Sequence, residues 1–194
     1  MMTMGMKQTL DVINKMEADR IISRYAIAGA VAAYNYIEPT LTEDLNLLVS
    51  FPSETDEPQS SLLSMQPVHS YLKQRGYNRF RAERIMIEGW PVQFLPVSDD
   101  LDAEALAGAI EADIQIPNEG TARTRLLRAE HLVAAALRVG RPKDLIRIAQ
   151  FIESEAVDLA LLQQVLDRHK LTDAWRSFCL RTGITDPFSA SHPS

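Results

Sequence analysis

The stretch 25–51, YAIAGAVAAYNYIEPTLTEDLNLLVSF, constrains this chain more than any other. It holds two apolar runs of strand length, 25–28 and 45–51, separated by Gly29-Ala30, an Ala-rich segment and a Pro39-Thr40 turn. The second run is nearly continuous, the pattern of a central strand covered on both faces. Asp44 stands where that run begins. Side chains alternate along a strand, so Asp44 and Asn46 are expected on the same face. A glycine turn facing two polar side chains at i and i+2 suits a metal and phosphate site. Here the pair is Asp44 and Asn46, one acid and one amide, where two carboxylates would hold a metal best.

Around that stretch the spacing predicts an α/β half followed by a helical half. A first helix is expected over 7–22, with Leu10, Ile13, Ala18, Ile21 and Ile22 at helical spacing. Strand 25–28 leads into a tight turn and a short helix at 31–36, then strand 45–51. Residues 52–61, acidic and rich in breakers, read as a surface loop. A helix runs from Pro67 to Gly76, and strands 81–87 and 92–97 form a hairpin turned at Glu88-Gly89, with Pro91 near a strand start. Ser98 or Asp99 caps a helix over 101–112. Two short strands, 114–116 and 122–126, flank Asn118-Glu119-Gly120. From Arg128 onward only helical stripes occur, among them Leu145, Ile148, Ala149 and Ile152 at i, i+3, i+4, i+7, and a helix behind an Asp158 cap. The expected organisation is an α/β domain over 1–126, with a small mixed sheet and flanking helices, a helical domain of about four helices over 127–186, and a disordered tail over 187–194.

Bulk properties narrow the function. A net charge of −6 gives no general attraction to nucleic acid or an anionic membrane, so no DNA partner is expected. The single Cys179 excludes an internal disulfide and a multi-cysteine metal site, and is expected as core filler on a helix. No apolar run approaches the roughly 20 residues needed to cross a bilayer, and the first residues are too polar for a signal peptide. A soluble cytoplasmic protein is the expectation. His69, His131, His169 and His192 form no metal spacing, His169 being expected as a partly buried packing residue. No nucleophile elbow, phosphate loop or dinucleotide glycine motif is present.

Two further constellations carry chemistry. A third carboxylate from a neighbouring strand would complete a two-metal clamp, and the residue placed to supply it is Gln93, again neutral. The run 123–147 holds Arg123, Arg125, Arg128, Arg138, Arg141, Lys143 and Arg147 against Glu130 and Asp144, seven cations to two acids and a local balance of +5. Such a run can face a phosphate chain or lie as solvated helix faces.

Taken together, these residues resemble the polymerase-beta-type nucleotidyltransferase superfamily, and within it the bacterial branch that includes the AbiEii-type toxins of abortive-infection systems. The matching residues are Gly29, Glu38-Pro39, Thr42, Asp44, Glu130 with Leu132, and Arg141-Pro142-Lys143-Asp144, over 25 to about 175. The resemblance implies transfer of a nucleotidyl group from an NTP to a protein or RNA hydroxyl, with Mg²⁺ as cofactor. It implies Asp44, Asn46 and Gln93 as the catalytic set, with Asp44 and Asn46 as metal ligands. Gly29, Ala30, Thr42, Arg141, Lys143 and Asp144 are the implied nucleotide-binding residues.

The departures from the family pattern matter equally. Ala30 replaces a second small Gly or Ser, Asn46 the second carboxylate and Gln93 the third. Ala136 stands where a Lys is frequent, and Arg147 where a further acid is expected. One of three expected metal carboxylates survives, so weak Mg²⁺ binding is expected. A working enzyme, a catalytically silent descendant that keeps a nucleotide cleft, and an interaction module that pairs with itself or a partner, in a toxin–antitoxin or phage-defence setting, all remain open at this point.

Overall fold

The computed structural model describes residues 5–39, 42, 44–52 and 65–189. The elements run α1 (Met6–Ala18), β1 (Arg24–Ala28), α2 (Gly29–Ala33), β2 (Leu45–Ser50), α3 (Gln66–Gln74), β3 (Phe80–Arg81), β4 (Arg84–Ile87), β5 (Trp90–Pro96), α4 (Asp100–Ala107), β6 (Ile110–Ile116) and β7 (Gly120–Leu126). Four helices follow: α5 (Ala129–Val139), α6 (Pro142–Glu153), α7 (Leu159–Arg168) and α8 (Thr172–Thr182). The chain divides into two compact units, Met1–Ala32 with Thr40–Leu127, and Ala33–Pro39 with Arg128–Ser194. The expected α/β class holds: a mixed sheet with flanking helices, then C-terminal helices.

In the first unit seven strands lie in the order β3-β4-β5-β2-β1-β7-β6. Strand β1 runs antiparallel to β2 and parallel to β7, and β2 runs parallel to β5. One face is apolar across β1, β2, β5 and β4. Tyr25 and Ile27 on β1, Leu45, Leu47 and Val49 on β2, Val92 and Phe94 on β5, and Ile85 and Ile87 on β4 are all buried. The register pairs these residues across strands, so a one-residue slip would turn the whole set outward. Helix α1 buries Met6, Leu10, Ile13 and Met16 on one stripe. It is tied to the apolar face by the Tyr25 hydroxyl, which donates to Asn14 Oδ1 at 2.6 Å and meets Thr124 Oγ1 at 3.1 Å. Burial pushes the Tyr25 phenol up to about 12, so it stays protonated at neutral pH.

No side chain of α1 caps its own start. The carboxylate of Glu119, in the β6–β7 turn, accepts from the Gly5 N–H at 2.7 Å and the Lys7 N–H at 2.9 Å. A distant acid thus satisfies two N–H groups that the helix cannot satisfy itself and also complements its dipole.

Several boundaries differ from expectation. The helix predicted over 101–112 ends at Ala107, capped at its start by Asp99, which accepts from the Asp102 N–H at 2.8 Å. From Ile110 the chain is strand, because exposed Glu111, Asp113 and Gln115 alternate with Ile110, Ala112, Ile114 and Ile116. That two-residue period prevails over helical propensity once Gly108 has broken the helix. The strand predicted over 81–87 is two strands, β3 and β4, parted by a turn in which Ala82 has φ 56°. Helix α1 stops at Ala18, and the short helix is Gly29–Ala33, starting at the turn itself. Of the predicted loop at 52–61, residues 53–61 lie outside the described residues.

In the second unit α5 packs against α6, α7 and α8. Leu132, Val133, Ile148, Phe151, Leu162, Val165, Leu166, Trp175 and Phe178 form the core. Asp158 caps α7 as expected, accepting from the Leu161 N–H at 3.0 Å. The Asp158 N–H in turn donates to the buried Glu130 at 2.9 Å, fastening α5 to the start of α7. His169 is half-buried at the end of α7. Cys179 is the expected core filler, its thiol pushed up to about 11 by burial. Part of the stretch expected to be a disordered tail is packed. The Phe188 ring lies 5.4 Å from that of Trp175, and Asp186 accepts from Trp175 Nε1 at 2.9 Å and the Phe188 N–H at 3.0 Å. Residues 190–194 lie outside the described residues.

Candidate functional site

The face of the sheet opposite α1 carries a polar row. Asn46 on β2 is the register partner of Ala28 on β1 and of Gln93 on β5. Neighbouring strands are about 4.8 Å apart, so the two amides are adjacent. Both are half-buried, whereas the residues beside them in sequence, Leu45, Leu47, Val92 and Phe94, are buried. One step beyond the Ile85–Val92 pair, Arg84 on β4 continues the row past Gln93, and Arg81 on β3 pairs with Arg84. The row therefore runs Arg81, Arg84, Gln93, Asn46 and ends at Ala28.

Gly29 follows at that end with φ 63°, in the left-handed region that costs a side chain-bearing residue energy. A Cβ there would stand 2.9 Å from Asn46 Nδ2. Glycine is required twice over, for the turn and for the close approach of the amide. Ala30 is buried in the first turn of α2.

Asp44 lies just before β2. The Thr42 hydroxyl donates to its Oδ1 at 3.3 Å. Its Oδ2 accepts from Arg84 Nε at 2.8 Å and from Arg84 Nη2 at 2.8 Å. The Asp44 and Arg84 side chains are 23% and 35% exposed, so the pair is reachable from solvent. Gln93 Nε2 donates a long bond, 3.5 Å, to Glu83. The structure thus brings Gly29, Thr42, Asp44, Asn46 and Gln93 to one end of one face.

The donor set does not fit Mg²⁺. Among the described residues no group of three or more His, Cys, Asp or Glu side chains is placed to hold a metal. Mg²⁺ sheds water reluctantly and requires anionic oxygens. The row offers two neutral amides and one carboxylate that already faces a guanidinium.

The basic run 123–147 is divided between the two units, and four of its arginines are held by acids. Arg123 pairs with Glu111, whose carboxyl is held below its usual range by that hydrogen bond. Arg125 Nη1 donates to both oxygens of Glu17, at 2.9 and 2.8 Å. Both arginines belong to β7 and the first unit; the rest belong to the second. There Arg141 Nε donates to Asp144 Oδ2 at 2.7 Å, and Arg147 Nη1 stands 3.8 Å from Asp144 Oδ1. Asp144 is 2% exposed in the first turn of α6. It stabilises the helix start with Pro142 as the first helical residue. Lys143 is exposed.

The sequence reading missed Arg84 and the capping role of Glu119. Arg84 lies forty residues beyond Asp44, and only the register of β4 on β5 brings it to the row. The alternation of Arg84 and Met86 with Ile85 and Ile87 was the available signal for its face.

No family model matches the sequence, and no curated protein matches it. Among solved structures, CdnC of Escherichia coli MS115-1, determined with ATP, overlays with a TM-score of 0.35 at 16% identity, over 97% of this chain and 67% of that one.

Proposed function

We propose that the protein is nucleotidyltransferase-like, with metal-dependent transfer from an NTP to a protein or RNA hydroxyl weak or lost. The order of parts supports this reading: a glycine turn after β1, Asp44-x-Asn46 opening β2, and Gln93 beside Asn46 on β5. One observation carries the second half. Asp44 bonds Arg84 through two nitrogens, while amides stand at both neighbouring positions. Three carboxylates would offer about three negative charges to two divalent ions; this row offers one, already compensated.

The test is labelled-NTP incorporation into RNA or lysate protein in Mg²⁺. Wild type is expected to label at background, and Asn46→Asp/Gln93→Asp to label more. Robust wild-type labelling abolished by Asp44→Ala would overturn the reading. The Asp44–Arg84 pair also favours a second reading, a non-catalytic nucleotide-binding or interaction module. Calorimetric titration with the four NTPs, with and without Mg²⁺, separates the two.

A further inference from the structure

We infer that Arg84 takes the place of a divalent cation at Asp44, so that the polar row binds a phosphate chain free of metal. The inference rests on reading this face of the sheet as the site, and it concerns which cation serves there.

Three observations converge. First, the guanidinium engages Asp44 with Nε and Nη2 on a single oxygen. That uses two of its five N–H groups, and no other described residue accepts from the remaining three. A guanidinium bridges two anions readily, because its donors fan out in one plane. Second, Arg84 is 35% exposed at the rim of the row, so those donors are reachable. Third, next to it lie the Gln93 and Asn46 amides, which carry N–H donors without charge, and then Gly29, whose missing Cβ lets the Asn46 amide lie against the turn. Arginine, two amides and a bare turn are a donor-rich surface for anionic oxygen. Asp44, the acid before β2, is already engaged by Arg84.

The charge count predicts an unusual sign. In and beside the row, Arg81 and Arg84 count against Asp44 and Glu83, so these four described groups sum to zero. Asp44 competes with an incoming phosphate for Arg84. If Asp44 instead held a metal that bridged to the phosphates, removing its charge would weaken phosphate binding. With Arg84 as the cation, removing the Asp44 charge strengthens it.

The experiment is calorimetric titration of tripolyphosphate in EDTA into wild type, Asp44→Asn, Arg84→Gln and the double variant, with thermal unfolding of each as a check on folding. Asp44→Asn is expected to bind about tenfold tighter than wild type, one ion-pair charge removed at a partly exposed site. Arg84→Gln is expected to lose about tenfold, and in the double variant the Asp44→Asn gain disappears. Arg84→Lys, which keeps the charge, stays within a few-fold of wild type. Mn²⁺ supplied in place of EDTA itself complexes tripolyphosphate and lowers its charge, and it does not tighten wild-type binding. Weaker or unaltered binding by Asp44→Asn, a gain that survives Arg84→Gln, binding by neither wild type nor Asp44→Asn, or tightening by Mn²⁺ would each overturn the inference. Tripolyphosphate has no base or sugar. Failure of NTP labelling or of base preference therefore bears on the proposed function alone, and the sign of the Asp44→Asn effect bears on Arg84 alone.

Discussion

Two acids of the sequence motifs, Asp44 and Asp144, are each held by arginine, yet they sit in opposite circumstances. Asp144 is 2% exposed and paired within its own helical turn, with Arg141 three residues before it and Arg147 three after. Asp44 is 23% exposed and paired with Arg84, from a strand forty residues away. The first arrangement is local and keeps the carboxylate from water, and it fixes where α6 begins. The second is assembled by sheet register and stays open to solvent. The lesson is that a motif acid is a ligand candidate only where a ligand can reach it. Burial makes Asp144 a structural acid, and solvent access is what allows the binding proposed at Asp44.

The sharpest way to break this comparison is Asp144→Ala. It leaves two guanidinium groups around a buried hole and removes the first-turn acid of α6. Breaking a buried pair costs about 3–5 kcal/mol, and because Arg141 is 58% exposed and can regain water, about 2–3 kcal/mol is expected here. Urea unfolding measures it. A loss below about 1 kcal/mol, the range of surface pairs, would show that Asp144 is not a structural acid.

Gly29→Ala tests the other side. The left-handed φ of 63° costs a non-glycine residue about 1–2 kcal/mol, and the new Cβ would crowd Asn46 Nδ2 at 2.9 Å. The expected outcome is about 2 kcal/mol of destabilisation together with displacement of the Asn46 amide, visible as a shifted side-chain amide resonance. An unshifted resonance would mean that the turn and the row are uncoupled.

Strands β1, β2 and β5 were legible because each is an apolar run with a breaker beside it, and strand order together with the family resemblance named Asp44, Asn46 and Gln93 as candidates. The two-residue period of β6 was equally present in Ile110, Ala112, Ile114 and Ile116, but the Ala-rich residues before it carried the helix reading too far. The Arg84–Asp44 pair was not legible. No local pattern marks an arginine on β4 as the partner of an acid before β2; it needs the registers of both β4 on β5 and β5 on β2. The basic run stayed ambiguous for the same reason: the acids of Arg123 and Arg125, Glu111 and Glu17, come from other elements.

Glu119 extends the comparison to an acid outside any motif. Its carboxylate accepts two N–H groups at the start of α1. Loss of a single capping side chain costs typically about 1 kcal/mol, so Glu119→Ala is expected to lose about 1 kcal/mol or slightly more. It should also speed hydrogen exchange at the Gly5 and Lys7 amides while tripolyphosphate binding stays unchanged. Unaltered exchange at both amides would remove Glu119 from the structural class.

The smallest effect is expected where the functional argument is strongest. Asp44→Ala removes a pair whose members are 23% and 35% exposed. Pairs in contact with water contribute about 0–1 kcal/mol, and the Arg84 guanidinium left behind can turn to solvent, so no charge is stranded in the interior. Thr42 loses one bond of 3.3 Å, which water can replace. The expected loss in urea unfolding is therefore under about 1 kcal/mol, well short of that for Asp144→Ala. Both substitutions delete a carboxylate bonded to arginine, so only burial and the reach of solvent separate them. A loss as large as that of Asp144→Ala would mean that the Asp44–Arg84 pair braces the sheet edge, and that its place in the row is architectural.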